Sequence, residues 1–304
     1  MWFSLSGRTE WQRDQRTLRN ATMAVQATTQ GWDTVGETAT VQGTKICVRR
    51  KDLEAEDDCQ DPNFFDEDYS IAASTGMVVW EGSWALIALL RDPSHWICAR
   101  LRGARVVELG AGTGLLGLCA AAAGGSVLLT DVPAVVSEML LPNLASNASS
   151  GAEAEGGGWP GARPVGAGSA AAAPLDWWRP VEEQLLEGAQ LDPRDADVVL
   201  AAECVWLKEL VEPFVATVLS LMRGPRRPTC LMGFRERAVE GSQTFAASSS
   251  VMDEFRARGC FVLEHGEVGE QGQCTTLYEL RLSPPAAPAT GEAASGGGAA
   301  PQAQ

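Results

Sequence analysis

The sequence predicts an α/β domain organised on a mostly parallel sheet with helices on both faces, and three observations carry that prediction. Short apolar runs recur along the chain, RVVELG from Arg105, SVLLTD at 126–131 and DVVLAAE at 197–203, with the two-faced apolar character of buried parallel strands. Between them lie segments of helical periodicity, so strands and helices alternate as βαβ units require. The first run enters a glycine-rich turn, Gly110-Ala111-Gly112-Thr113-Gly114, that opens into LLGLCAAAA, so strand, turn and helix follow in immediate succession.

Residues 1–34 show no sustained periodicity and are expected to form a flexible leader. Its Arg8, Arg13, Arg16 and Arg19 resemble an organellar transit peptide, which Glu10 and Asp14 argue against. The cytoplasm is the expected compartment, with organellar import the alternative. The segment ATVQGTKICV alternates around Gln42-Gly43 and predicts a hairpin. An acidic run from Glu56 to Asp68 follows. After Thr75-Gly76, the stretch MVVWEGSWALIALL sets Trp80, Trp84, Ile87 and Leu90 at helical spacing, which predicts an amphipathic helix.

Beyond the glycine turn, SVLLTD is the second strand of the unit and VVSEMLLPNLASN the helix after it, with Pro142 expected to break or kink its end. From about 149 to 173, Gly, Ala, Ser and Pro dominate with almost no large apolar side chains, which predicts a disordered insertion. Order is expected to return at Pro174-Leu175-Asp176-Trp177-Trp178, followed by the strand DVVLAAE and a helix from about Leu207 to Met222. TCLMGF, a helix near Phe245 to Arg258, FVLEHG and TLYELRL complete a domain spanning 35–283. Residues 284–304, rich in Pro, Ala and Gly, are expected to be a mobile tail.

Composition narrows the classes of function. The 304 residues are 45% hydrophobic, enough for one sizeable core. No uncharged apolar run reaches the ~18 residues of a membrane span, and the leader lacks the apolar stretch of a secretory signal. Eight cysteines are scattered without a Cys-x-x-Cys pair, and only His95 and His265 supply imidazole, so neither a metal site nor a disulfide framework is indicated. Reduced, mostly buried thiols are expected. A net charge of −15 would repel a phosphate backbone and attract a basic protein segment. The acidic run concentrates that charge, and a solvated loop without a partner is its other reading.

A strand-to-helix turn presents backbone N–H groups at a helix N-terminus, and glycines let a ligand approach the chain closely. The third glycine of the dinucleotide fingerprint is replaced here by Leu115. Glu108, two residues before the first glycine, would repel a pyrophosphate and attract the ammonium and sulfonium of S-adenosylmethionine. Capping of local backbone groups is the alternative use of that carboxylate. Asp131, ending the second strand, is placed to accept both hydroxyl hydrogens of an adenosine ribose. Together these residues favour S-adenosylmethionine, held by the turn from Gly110 to Gly114, over a dinucleotide.

The segments TGMVVWEGSWALIALL, VVELGAGTGLLGL, VLLTD, LDWW, DVVLAAECVW and LYEL, in that order, resemble methyltransferase family 16, class I protein-lysine methyltransferases, over about Val35 to Ser283. The glycine segment is shared by many methyltransferases, whereas VVWEGSW and LAAECVW are more particular to this family. The resemblance implies a Rossmann-like, seven-stranded class I fold, S-adenosylmethionine as donor and a protein lysine as acceptor. It implies that Trp80 lies beside the donor, that Gly110, Ala111 and Gly112 form the turn against it, and that Asp131 holds the ribose. Trp177 corresponds to the tryptophan against the adenine, with Trp178 competing for that place and one of the two expected to face the core. Ala202 and Glu203 correspond to the alanine and acid that reach the pocket. The family's usual acid and aromatic at these positions are Asp and Tyr, where this chain has Glu203 and Trp206. One extra methylene moves a carboxylate by about 1 Å, enough to change how a substrate amine is positioned.

The implied reaction is an in-line displacement in which a neutral lysine amine attacks the sulfonium methyl. Glu203 would orient the amine, and Trp80 or Trp206 would favour the alkylated cation. The expected partner is a protein presenting a lysine, basic in character, met by a monomer without metal, membrane or nucleic acid. Three other readings stand beside it: a small amine or acid as substrate on the same fold, a dinucleotide oxidoreductase opposed by Leu115 and Glu108, and a binding module without catalysis, which Glu203 and Trp206 support slightly.

Overall fold

The structure is a computed structural model that describes residues 34–52, 75–149, 158–185, 191–239, 241–269 and 274–283. The leader to residue 33, the acidic run and the C-terminal tail lie outside the described residues, as do residues 150–157 of the expected insertion.

The hairpin forms where alternation predicts it, β1 (Thr34–Val41) pairing antiparallel with β2 (Thr44–Lys51) across Gln42-Gly43. Both turn residues have positive φ, 49° and 84°, the backbone that a two-residue hairpin turn needs to match strand twist. Helix α1 (Glu81–Leu90) is shorter than its periodicity suggests, because Trp80 precedes it in extended conformation as the N-cap residue. Trp80 therefore stands before the helix, and only Trp84, Ile87 and Leu90 lie on it. A second short helix, α2 (Trp96–Leu101), follows.

The glycine turn joins β3 (Arg105–Leu109) to α3 (Leu115–Ala122), and β4 (Ser126–Asp131) follows. Pro133–Val135, a π turn at Val136–Leu140 and Leu141–Asn147 then run on as one helix, α4. Pro142, expected to break or kink the helix end, lies within the first two positions after the π turn, which is the irregularity beside it. The wider π winding accommodates the donor that proline lacks, so the helix continues to Asn147. The side chains of Asn143 and Asn147 accept the backbone N–H groups of Arg49 and Cys47, each at 2.8 Å, which fastens the hairpin to α4.

The alanine-rich stretch is not wholly a disordered insertion. Residues 163–174 form β5 (Arg163–Val165) and β6 (Gly168–Pro174), and β6 pairs in parallel with β4 from Ser126↔Ser169 to Asp131↔Pro174. Composition misleads here because a strand paired on both sides is held by its ladder and its neighbours, and intrinsic preference is overridden. Ala170 and Ala171 are buried on opposite faces, in two different core clusters. Trp159 supplies the missing bulk, buried with its indole N–H donated to the carbonyls of Ser126 (2.8 Å) and Val106 (3.1 Å).

After a four-residue helix α5 (Val181–Gln184), β7 (Val198–Ala202), α6 (Lys208–Met222), β8 (Thr229–Phe234), α7 (Ser248–Ala257), β9 (Cys260–Val268) and β10 (Thr275–Leu282) complete the domain. Among the described residues the main sheet has eight strands, in the order β5-β6-β4-β3-β7-β8-β10-β9. It holds the six sheet strands read from the sequence, together with β6 from the expected insertion and β5, a short antiparallel edge. Strands β6, β4, β3, β7 and β8 are mutually parallel, and β10 enters antiparallel between β8 and β9. One face packs on α1 to α4 and the hairpin, the other on α6, α7 and Trp159. No helix among the described residues is long and apolar enough to cross a membrane.

Candidate active site

From β3 the chain steps through β4 to β6 on one side of the sheet, then returns to build β7 and β8 on the other. A crevice opens at such a reversal, outside the carboxyl ends of the strands. Here the ends of β3, β4, β6 and β7 and the segment before α1 enclose a cleft of about 290 Å³.

The turn after β3 forms its floor. Gly110 and Gly112 have φ of 61° and 55°, which only glycine adopts without strain. A Cβ at Gly110 would lie 2.8 Å from Cβ of Cys204 and at Gly112 2.9 Å from the carbonyl oxygen of Gly76, so the cradle admits backbone only. Ala111 also lines the cleft. Gly114 does not; it is the left-handed N-cap of α3 and faces Leu140 and Leu129.

Asp131 reaches the cleft from the end of β4. It accepts the N–H groups of Gly112 and Val132, both at 2.8 Å. Burial pushes its carboxyl up to about 6, against the pull of those two hydrogen bonds, and it is ionised at neutral pH. Glu108 is placed differently. It is 2% exposed and not among the cleft-lining residues, its carboxyl packed beneath the turn where Gly117 leaves room for it. Burial first, and the Asp131 charge in addition, push it up to about 8 despite a backbone hydrogen bond from Gly117. Its Oε2 has no hydrogen-bond partner.

Both tryptophans after β6 line the cleft, and they divide by exposure. Trp177 lies against the turn, 3.2 Å from where a Cβ of Gly110 would stand, and packs edge-on to Phe214 at 5.1 Å. Trp178 is 65% exposed at the rim, so neither ring is given over wholly to the core.

Ala202 at the end of β7 and Glu203, Cys204 and Trp206 just after it all line the cleft. Glu203 is buried and has a left-handed φ of 54°, uncommon for a side-chain-bearing residue. Its Oε2 accepts the N–H of Gly82 at 2.6 Å in the first turn of α1, and its Oε1 accepts both Nε and Nη2 of Arg237. The Arg237 guanidinium lies 4.7 Å above the Trp80 ring, and the Trp80 indole donates to the carbonyl of Thr75 at 3.0 Å. Trp206 packs beside Phe245, ring centroids 6.1 Å apart.

The cleft thus gathers Trp80, Gly110, Ala111, Gly112, Asp131, Trp177, Ala202, Glu203 and Trp206, and leaves Glu108 and Gly114 beneath or behind it. Sequence reasoning missed Cys204 and Arg237. Arg237 lies three residues beyond the end of the apolar run TCLMGF, and that position just after a parallel strand was the available signal. A turn with glycine at two of its lining positions, a carboxylate on the adjacent strand and an aromatic ring against the turn fit a cationic nucleoside such as S-adenosylmethionine.

A profile of the family described as lysine methyltransferase matches residues 63–250. The chain is 32% identical over 167 residues to EEF1A lysine methyltransferase 3 of Mus musculus, covering 55% of this chain and 59% of the relative. It is 30% identical over 149 residues to protein N-lysine methyltransferase METTL21A of Danio rerio, covering 48% and 56%. These matches span little more than half the length of the relatives. Among solved structures, it is similar to magnesium protoporphyrin IX methyltransferase from Synechocystis PCC 6803 with bound SAH, with a TM-score of 0.42 and 15% identity over 67% of this chain and 82% of that one. That likeness is too distant to bear on the site.

Proposed function

The chain belongs to the lysine methyltransferase family, and on that premise we propose that it transfers a methyl group from S-adenosylmethionine to a lysine side chain of a protein. The observation that carries this reading is the pairing of the glycine cradle with Asp131 at the point where the sheet reverses. When bound, S-adenosylmethionine supplies a methyl group on a cationic sulfur, open to in-line attack by a neutral amine.

Each residue's part follows from its place. Gly110 and Gly112 let the ligand meet bare backbone. Asp131, each oxygen holding one backbone N–H, keeps lone pairs for two ribose hydroxyls. The Trp177 ring offers a face for the adenine. Trp80 and Trp206 line the cleft with π surface, which attracts a lysine or its methylated product. Positioning and exclusion of water then contribute most of the rate. The net charge of −15 favours a basic protein as acceptor, and the free cysteines favour the cytoplasm.

Calorimetry with S-adenosylmethionine and S-adenosylhomocysteine, then transfer of tritiated methyl groups to donor-depleted extract, tests the proposal. Label should appear as methyl-lysine in protein hydrolysates. Asp131→Ala should weaken donor binding by about 100-fold or more, the loss of two hydrogen bonds to a charged group at about 1.5–3 kcal/mol each. Label confined to small metabolites would instead make the acceptor a small amine or acid. Donor binding without transfer to any acceptor would identify a binding module, and binding of a dinucleotide alone would overturn the proposal.

A further inference from the structure

We infer that Arg237 is a positioning residue, holding Glu203 and Trp80 together as one wall of the cleft; the inference rests on the methyl-transfer reading above. Arg237 does not itself line the cleft, whereas both its partners do. It reaches the site through them: its Nε and Nη2 both donate to Oε1 of Glu203, and its guanidinium carbon lies over the Trp80 ring, 4.7 Å from the centroid.

Three chain segments distant in sequence meet at this point. Glu203 follows β7, Trp80 and Gly82 begin α1, and Arg237 follows β8. The Glu203 carboxylate is enclosed on both oxygens, by Gly82 N–H at 2.6 Å and by the guanidinium, and its side chain is 2% exposed. A Cβ at Gly82 would stand 2.8 Å from Cβ of Glu203, so the helix start is pressed against this carboxylate. A buried carboxylate without a partner is strongly unfavourable, and a planar fork that also stacks on an aromatic ring can serve both neighbours at once. Glu203 therefore acts as a fixed strut, and its role toward an incoming amine passes through the geometry Arg237 imposes. Arg235, two residues earlier, pairs at 2.8 Å with Glu81, whose side chain is 48% exposed and is not among the lining residues. That pair ties the same two segments without touching the cleft.

The test uses the full chain and compares Arg237→Lys, Arg237→Met and Arg235→Ala. Binding of S-adenosylhomocysteine is measured by calorimetry well below each melting temperature, and label transfer from tritiated S-adenosylmethionine to donor-depleted extract is followed beside it. Arg237→Met should weaken binding about tenfold and slow transfer further, as expected when reacting groups are displaced by about 1 Å. Arg237→Lys, which keeps the charge but loses the fork and the stacking, should stay at least about fivefold weaker than the parent chain. Arg235→Ala should bind as the parent chain does.

A purely structural ion pair would be rescued by lysine, so Arg237→Lys binding and transferring within twofold of the parent overturns the inference. If Arg237→Met does not fold, the lysine variant alone decides. If the parent chain binds no donor, the methyl-transfer reading fails and the inference falls with it. A parent that binds beside an Arg237→Met that binds equally well overturns only the inference.

Discussion

Two carboxyl groups beside the glycine turn, Glu108 beneath it and Asp131 at the cleft, set the titration of the donor end of the site. Burial pushes Glu108 up to about 8 and Asp131 up to about 6, so the folded chain holds protons that the unfolded chain releases near pH 4 to 4.5. The folded state binds more protons across that interval, and stability from these groups is present below about pH 4 and is lost as pH rises toward 8. Glu81, Asp192 and Glu279, whose carboxyls are held below their ordinary values, contribute the opposite slope at lower pH. Glu108→Gln mimics the protonated form and should leave melting nearly unchanged near pH 4.5 while stabilising the chain at pH 8.5, by up to about 5 kcal/mol for a rise from 4.5 to about 8 at ~1.4 kcal/mol per pKa unit. Melting curves of both proteins at the two pH values check this; an equal difference at both would mean that Glu108 does not titrate as described. A chain position two residues before the glycines shows that Glu108 is near the turn, but not whether its side chain points into the cleft or beneath it.

At the scale of single elements, contiguous apolar runs bounded by turn or polar signals located the central strands and the helices beside them. Strands β3, β4, β7 and β8 and helices α3 and α6 lie where their patterns place them, within a residue or two. Three irregularities have separate physical causes. Helix α1 starts at Glu81 because its first turn is capped from Glu203, far along the chain, and no local residue signals that start. Helix α4 passes Pro142 through a π turn. Strand β6 is built from GSAAAAP and owes its order to β4, β5 and the helix above it. Ala170→Leu, which forces a large side chain into a fully buried site, should therefore cost about 1–3 kcal/mol. Thermal or urea unfolding measures it directly, and a variant as stable as the parent would return the segment to the status of a tolerant insertion.

For the molecule as a whole, the order of the strands and the net charge matter most. The reversal between β3 and β7 brings Gly110, Asp131, Trp177 and Glu203 to one end of one sheet. A charge of −15 should accelerate encounters with a basic acceptor. The transfer rate at low acceptor concentration should therefore fall several-fold between about 50 and 300 mM salt, as the Debye length shortens, while affinity for S-adenosylhomocysteine in the partly buried cleft changes little. Stopped-time transfer assays across a salt series, with calorimetry at both ends, would show this, and a rate indifferent to salt would remove charge steering from the account. By itself the sequence determined the alternation of strands and helices, the glycine turn and the acid that ends the next strand, because each is written in contiguous residues with a fixed period. Only the tertiary structure decided that Glu108 lies beneath the cleft, that an alanine run is a paired strand, and that Arg237 stands behind Glu203 and Trp80. Those outcomes depend on contacts between residues tens of positions apart, which packing selects and local pattern does not encode.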